Sequence, residues 1–399
     1  MSEKRNTVVG IDLGSHHLRC FAAAMERSSL RYLASEEVPS SGWQKGRVTD
    51  PNALLGAIRL LLSRTEAAAG VPIESAVLGI GGPTVRSLNS RGVRELGHRR
   101  EIDQLDVNRA IEKACGLQFM EDQMILQVFP QFFTVDEDAE YRDPRGIPGS
   151  FLEANVHIIV TSKSDHENLI GICNQAYLEI EDTVFEPVAT ALASILPEDR
   201  QDGVALIDIG LHNTEVIVYW KDILVHSSTL PISAEHFTRD VARGLQVSPP
   251  DAERVKIEYG CALVGLTADN SVIELPPLNG QGRRERERRF LNYVLQERGR
   301  ELMEMVRQQL ASVGMAENLG TGIVIAGGGA LLPGICDLAE QVLNCPARLA
   351  VPIGVRDLPD AVNHASWSTA VGLAMYASRL RAQEKSRREQ EGLIARLFG

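Results

Sequence analysis

Val8-Val9-Gly10-Ile11-Asp12-Leu13-Gly14 and, much later, Val204-Ala205-Leu206-Ile207-Asp208-Ile209-Gly210 share one pattern, an apolar run closing on Ile-Asp-apolar-Gly. The first passes through Ser15-His16-His17 into Leu18-Arg19-Cys20-Phe21. The second passes through Leu211-His212-Asn213-Thr214 into Val216-Ile217-Val218-Tyr219, so each reads as strand, tight turn, strand. A single Asp-x-Gly is usually an ordinary turn. Its return as an internal repeat marks a duplicated unit, one copy per lobe. In such a turn the glycine lets backbone N–H groups approach a phosphate, and the aspartate at the strand end projects toward its metal. Asp12, Gly14, Ser15 and His17 on one hairpin, and Asp208, Gly210 and Asn213 on the other, are candidate nucleotide contacts. Asp12 and Asp208 are the candidate magnesium partners, directly or through water, because magnesium prefers carboxylate and water oxygens.

A third element is the buried strand Gly322-Ile323-Val324-Ile325-Ala326, followed by Gly327-Gly328-Gly329 and a helix expected from about Pro333 to Val342. Adjacent glycines expose bare backbone on which a purine and an α-phosphate can lie; alone, the motif is equally a tight strand-to-helix connection. Phe185-Glu186-Pro187-Val188-Ala189-Thr190 opens a helix of small residues with Glu186 at its entrance. That carboxylate either orients an attacking water or satisfies the helix dipole. Asp251-Ala252-Glu253-Arg254-Val255-Lys256 opens another helix, with Glu253 and Lys256 on one face to bond ribose hydroxyls or each other.

The 399 residues exceed one ordinary hydrophobic core and point to two or more lobes around a cleft. With 41 basic and 53 acidic side chains, the net charge of -12 argues against nucleic acid as a partner. Cys20, Cys115, Cys173, Cys261, Cys336 and Cys345 are scattered without a Cys-x-x-Cys pair, which fits buried thiols in a reducing compartment. Met1 to Thr7 is polar and leads straight into a strand, so no signal peptide is expected and the protein is expected in the cytoplasm.

Together the hairpins, the Glu-Pro helix, Asp251 to Leu263 and the triple glycine resemble the actin-like superfamily, and within it the FtsA family of bacterial cell-division proteins. The likeness covers nearly the whole chain, including Ser366-x-Ser368-Thr369-Ala370-Val371-Gly372-Leu373, similar to the family's closing helix. It is carried most specifically by the middle: Gly79-Ile80-Gly81-Gly82-Pro83, Ser87 to Gly92, a helix around Ile102 to Cys115, Gln127 to Gln131 and Leu152 to His157. The resemblance implies an α/β, actin-like two-lobed fold of duplicated ribonuclease-H-like domains, with a small αβ insertion replacing the usual actin subdomain. Lobe 1 is expected over 1–83, 163–202 and about 358–380, the insertion over 84–162, and lobe 2 over 203–357, with a smaller subdomain at about 228–305. That subdomain is expected to be mostly helical, with Arg283 to Arg289 a solvated loop or helix entry.

The chain end is read in the same light. Ser378 to Glu391 is highly charged, and Leu393, Ile394, Leu397 and Phe398 fall on one side of a helix, with Arg396 beside them. This resembles the family's membrane-targeting tail after a linker, the two together spanning 381–399. Four apolar side chains at roughly 1.5 to 3 kcal/mol each give reversible attachment, which joining into filaments would strengthen. The resemblance further implies ATP or ADP with Mg as cofactors and self-association into filaments. Its implied partners are the FtsZ C-terminal peptide, later divisome proteins and anionic inner-membrane lipids, at the cytoplasmic face of the division site. A pilus-assembly scaffold of the same superfamily is the alternative, and a small-molecule kinase another, though no strong acidic general base presents itself for the latter.

Two departures from the family pattern bear on chemistry. His17 stands where the first turn usually carries a lysine, and Leu211-His212 stand where the second carries flexible glycines. Histidines at both turns leave two readings, a facing pair that contacts phosphate or a transition metal, and drift in a weak nucleotide site, the second preferred. ATP hydrolysis is the function expected to be weak or absent.

Overall fold

The computed structural model describes residues 6–26, 29–277, 282 and 284–398, with side chains through residue 386. The chain opens with the strands β1 (Thr7–Leu13), β2 (His17–Glu26), β3 (Ser29–Pro39) and the short pair β4 (Trp43–Gln44) and β5 (Arg47–Val48). It then runs through helix α1 (Pro51–Ala69) into β6 (Ser75–Ile80). Helix α1 starts where Asp50 accepts from the N–H groups of Asn52 and Ala53 and stops at Gly70, whose φ of 69° suits glycine.

The insertion follows as β7 (Arg86–Glu101), α2 (Gln104–Cys115), β8 (Gln123–Val135), β9 (Ala139–Tyr141) and β10 (Pro148–Ser162). These strands form a separate sheet in the order β7-β10-β8-β9, covered by α2. The chain returns through α3 (Lys163–Gln175), β11 (Glu179–Phe185), α4 (Glu186–Ser194) and α5 (Pro197–Asp202).

Lobe 2 contains β12 (Val204–Ile209), β13 (Thr214–Trp220), β14 (Ile223–Leu230), α6 (Ala234–Leu245), α7 (Pro249–Tyr259), β15 (Val272–Leu275), β16 (Arg284–Glu287), α8 (Arg288–Ser312), β17 (Gly322–Ala326), α9 (Ile335–Leu343) and β18 (Ala347–Leu349). Then β19 (Val355–Arg356) rejoins lobe 1, and α10 (Ser368–Phe398) ends the chain.

The lobes repeat one topology. In lobe 1 the order is β11-β6-β1-β2-β3-β19, and in lobe 2 it is β14-β13-β12-β17-β18. Each is an antiparallel three-strand meander whose first strand pairs in parallel with a later one. Strand β1 is buried along its whole length, as a central strand covered on both faces requires. Helices α4 and α10 lie between the sheets and touch backbone to backbone, since a Cβ on Gly372 would stand 1.8 Å from the Ala189 carbonyl oxygen. The fold is the α/β, actin-like, two-lobed one, with the αβ insertion in place.

The insertion also rests on lobe 2. Ser87 donates to the Ser227 carbonyl at 2.6 Å, His157 Nε2 bonds Ser227 Oγ at 2.8 Å and Gln131 donates to the Leu224 carbonyl at 3.0 Å, so side chains cap the open edge of β14.

Three local expectations are corrected. Residues 284–287, expected as loop or helix entry, form a strand that pairs with Val272–Leu275, because the alternating partners suit a two-stranded ribbon. The expected Pro333 helix begins at Ile335, after a 3-10 turn over Gly328–Leu331. The charged stretch after Ser378, read as a linker, continues α10 without a break; its sequence has no Gly or Pro until Gly392. Arg381 ties that helix to lobe 1 through Glu181 and the Thr7 carbonyl, and residues 382–386 beyond it are exposed.

Candidate functional site

The two hairpins face each other across a cleft of about 390 Å³. Asp12, Gly14, Ser15 and His17 line one wall; Asp208, Gly210 and Asn213 line the other; Glu186, Glu253, Lys256 and Gly327 to Gly329 complete it. These residues are therefore brought to one place, whereas His212 is not. The tail residues Leu393, Ile394, Arg396, Leu397 and Phe398 have side chains outside the described residues.

Backbone crowding explains the glycines. A Cβ at Gly14 would stand 2.6 Å from the His17 carbonyl oxygen, and one at Gly210 2.9 Å from that of Asn213. The triple glycine divides its roles. Gly327, at φ 82°, packs where a Cβ would meet Asp208 Oδ1 at 2.4 Å, and Gly329 packs on Ile209, while Gly328 has open space in front of it. All three line the cleft, and among them Gly328 is the one at which a side chain would meet nothing.

Four carboxylates converge here with little to compensate them. Burial lifts Asp12 to about 6 against the pull of Arg19, and burial lifts Asp208 to about 7 with Asp12 adding to the rise. Glu215 rises by burial to about 8, although the Gly82 N–H donates to its Oε1 at 2.7 Å. Burial and then Glu215, Asp12 and Asp208 push Glu186 well above the usual carboxylate range. Such a cluster of desolvated carboxyl groups fits a divalent cation, which would replace protons on them. Among the described residues no three His, Cys, Asp or Glu side chains close on one point, so a magnesium here would complete its shell with phosphate and water oxygens, as that ion prefers.

Two of the residues that shape the site were not singled out from the sequence. Asp12 pairs across its hairpin with Arg19, and Asp208 pairs with Glu215. Arg19 Nε donates to Glu37 at 3.0 Å, its Nη1 stands 3.9 Å from Asp12, and its guanidinium lies 5.5 Å from the Trp367 ring centre. Glu215 and Glu186 both close on Gly81, where a Cβ would stand 2.1 Å from Glu186 Oε2 and 3.1 Å from Glu215 Oε1. Counting strand register from each aspartate was the available signal.

The histidines do not form a pair across the cleft. His17 Nδ1 bonds its neighbour His16 at 2.8 Å and lines the cleft, whereas His212 turns away to Glu235 at 3.2 Å and lies outside the lining. The facing-pair reading is thus corrected: the opening of α6 captures His212, with Glu235 N–H donating to the Leu211 carbonyl at 3.0 Å.

At the far end Lys256 Nζ pairs with Glu253 at 2.7 Å and donates to Thr238 Oγ1 at 2.9 Å, and Thr238 in turn donates to Glu253. The two residues thus bond each other while still lining the cleft. Phe237, Ile257, Leu331, Leu332 and Pro333 make that end apolar, which suits a flat ring.

Comparison with known proteins agrees with this architecture. A family model described as "Cell division protein FtsA" matches residues 205–372, and one described as "SHS2 domain inserted in FTSA" matches residues 82–160. The cell division protein FtsA of Borreliella burgdorferi is 32% identical over 375 residues, covering 93% of this chain and 91% of that one. That of Pseudomonas aeruginosa is 30% identical, covering 92% and 88%. Among solved structures, a PilM-PilN type IV pilus biogenesis complex superposes with a TM-score of 0.68 at 17% identity, covering 93% of this chain and 98% of that one. MreB5 of Spiroplasma citri bound to ADP gives 0.56 at 12% identity, covering 96% and 98%. These two similarities speak to the fold. Identity across almost the full length, together with the inserted domain, shows that the chain belongs to the FtsA family of cell-division proteins.

Proposed function

We propose that this cell-division protein binds ATP or ADP with magnesium in the interlobe cleft, polymerises, and attaches FtsZ filaments to the cytoplasmic face of the inner membrane. The observation that carries the nucleotide reading is the convergence of two Asp-x-Gly turns, four carboxyl groups and the triple glycine on one cleft. Solved relatives of the fold bound to ADP or AMPPNP support it. Asp12 and Asp208 would hold the magnesium through water, Gly14, Ser15, His17, Gly210 and Asn213 would meet phosphate, and Glu253 and Lys256 the ribose. Magnesium would supply charge neutralisation between the phosphates and the carboxylates. Glu186 would orient water, but burial and its acidic neighbours push its carboxyl well above the usual carboxylate range, which makes it a poorer proton acceptor and supports a holder of nucleotide over a fast hydrolase.

Membrane attachment would use Leu393, Ile394, Arg396, Leu397 and Phe398 on anionic lipids. The exposed course of α10 past Arg381 supports this, since the helix leaves the body of lobe 1 there. Among the described residues no helix is long and apolar enough to cross a membrane. FtsZ's C-terminal peptide and later divisome proteins are the proposed partners. Sedimentation with anionic liposomes, with and without nucleotide, should bring down the full chain and leave a chain truncated before Ser386 in solution. Equal binding by the truncated chain would overturn the anchor. Pull-down with FtsZ tail peptide separates this reading from the pilus scaffold.

A further inference from the structure

The first turn has no permanent cation. Burial holds His17 below the usual histidine range, and its Nδ1 is bonded to His16. Among the residues lining the cleft the permanently charged bases are Arg19 and Lys256, and Lys256 is held by Glu253 and Thr238 at the apolar end. Arg19 stands beside Asp12 at the start of the strand that leaves the turn. Its Nε is spent on Glu37, while among the described residues no hydrogen bond engages Nη1 or Nη2. The duplicated frame sharpens the point: the register that puts Arg19 across from Asp12 puts Glu215 across from Asp208, so equivalent positions carry a guanidinium on one wall and a carboxyl on the other.

We infer that Arg19 is the phosphate-binding cation of this chain, its free guanidinium nitrogens donating to the terminal phosphates of a nucleotide that the cleft takes up. The inference rests on the nucleotide reading above. A guanidinium suits the task because its fork of fixed N–H groups matches phosphate oxygens. Engagement draws the group toward the ligand and off the indole face of Trp367, which immediately precedes α10.

The test titrates the full-length protein with Mg-ATP, Mg-ADP, AMP and adenosine by calorimetry, and follows tryptophan fluorescence in parallel. Arg19→Ala is expected to weaken ATP by about ten- to hundredfold and ADP less, while leaving adenosine within about twofold, since a charge-assisted bond of this kind acts only where phosphate is present. Arg19→Lys should recover most of the ATP affinity, and Trp367→Phe should remove much of the ATP-induced fluorescence change. Circular dichroism checks that the variants fold, and the lysine variant keeps the charge if alanine does not. ATP affinity unchanged in Arg19→Ala, or adenosine weakened as much as ATP, overturns the assignment and leaves the nucleotide site standing. A wild-type chain that binds none of the four ligands overturns both.

Discussion

The two hairpins share backbone, turn and aspartate, yet the residue facing the aspartate is Arg19 in lobe 1 and Glu215 in lobe 2. Burial is the largest cause of the rise at both aspartates, to about 6 at Asp12 and about 7 at Asp208; Arg19 opposes the rise at each, and Asp12 adds to it at Asp208. The two hairpins thus share a frame, and a single cross-strand position places a guanidinium on one wall and a carboxyl on the other. A second contrast lies two residues before each aspartate, on the same strands. Gly10 in β1 corresponds to Leu206 in β12, because α10 crosses β1 so closely that a Cβ at Gly10 would stand 2.3 Å from the Ala370 carbonyl oxygen. Lobe 2 has no such crossing and fills the place with a buried leucine.

The largest effect should come from erasing that second contrast. Gly10→Ala forces a backbone shift between β1 and α10 and is expected to cost about 3 kcal/mol or more, read from the denaturant midpoint. Wild-type stability in that variant would show that the contact yields.

Next comes the carboxylate asymmetry. Asp12, Asp208 and Glu215 hold protons in the folded chain at pH values where the unfolded chain has released them, so the folded state binds more protons and stability falls as pH rises. In the ligand-free protein the melting temperature should decline from about pH 5 to about pH 8, across the span between the ordinary carboxylate range and the raised values. Asp208→Asn should recover about 2 kcal/mol at pH 8 and Asp12→Asn less, because Arg19 then loses its counter-charge. A melting temperature that rises over this window contradicts the sign.

A smaller change, about 1 kcal/mol, is expected from Lys256→Ala, which should weaken ATP, ADP and adenosine alike and so separate the ribose end from the phosphate end. Selective loss of ATP alone would move Lys256 to the phosphates. The smallest effect belongs to Glu215→Gln, whose amide oxygen can still accept from Gly82; stability at pH 6 should stay within about 0.5 kcal/mol. A drop of several kcal/mol at that pH would mean the charge itself holds the walls together.

Much of this was legible from residue order. The Ile-Asp-x-Gly repeat located both walls, because a turn that must approach a ligand closely has few residue choices, and the Glu-Pro and Gly-Gly-Gly segments fell on the same cleft. Arg19 and Glu215 escaped notice because a charged residue on an exit strand looks like any solvent-facing one until pairing register places it. Gly81 and Gly82 read as the entry to the insertion, and only their approach to Glu186 and Glu215 made them part of the site. His212 sits in the turn like His17, but Glu235 on α6 draws it away, a contact from an element that the turn's own sequence does not contain.

By itself, then, the sequence determined the duplicated fold, the inserted subdomain and the two aspartates, since periodicity and glycine placement are local constraints that any folded form must obey. Tertiary structure alone decided which wall carries positive charge, which glycine has open space in front of it, where β14 is capped and how far α10 stays on lobe 1. Each of those depends on residues distant in the chain meeting at a few ångströms, where burial and charge change what a side chain can do.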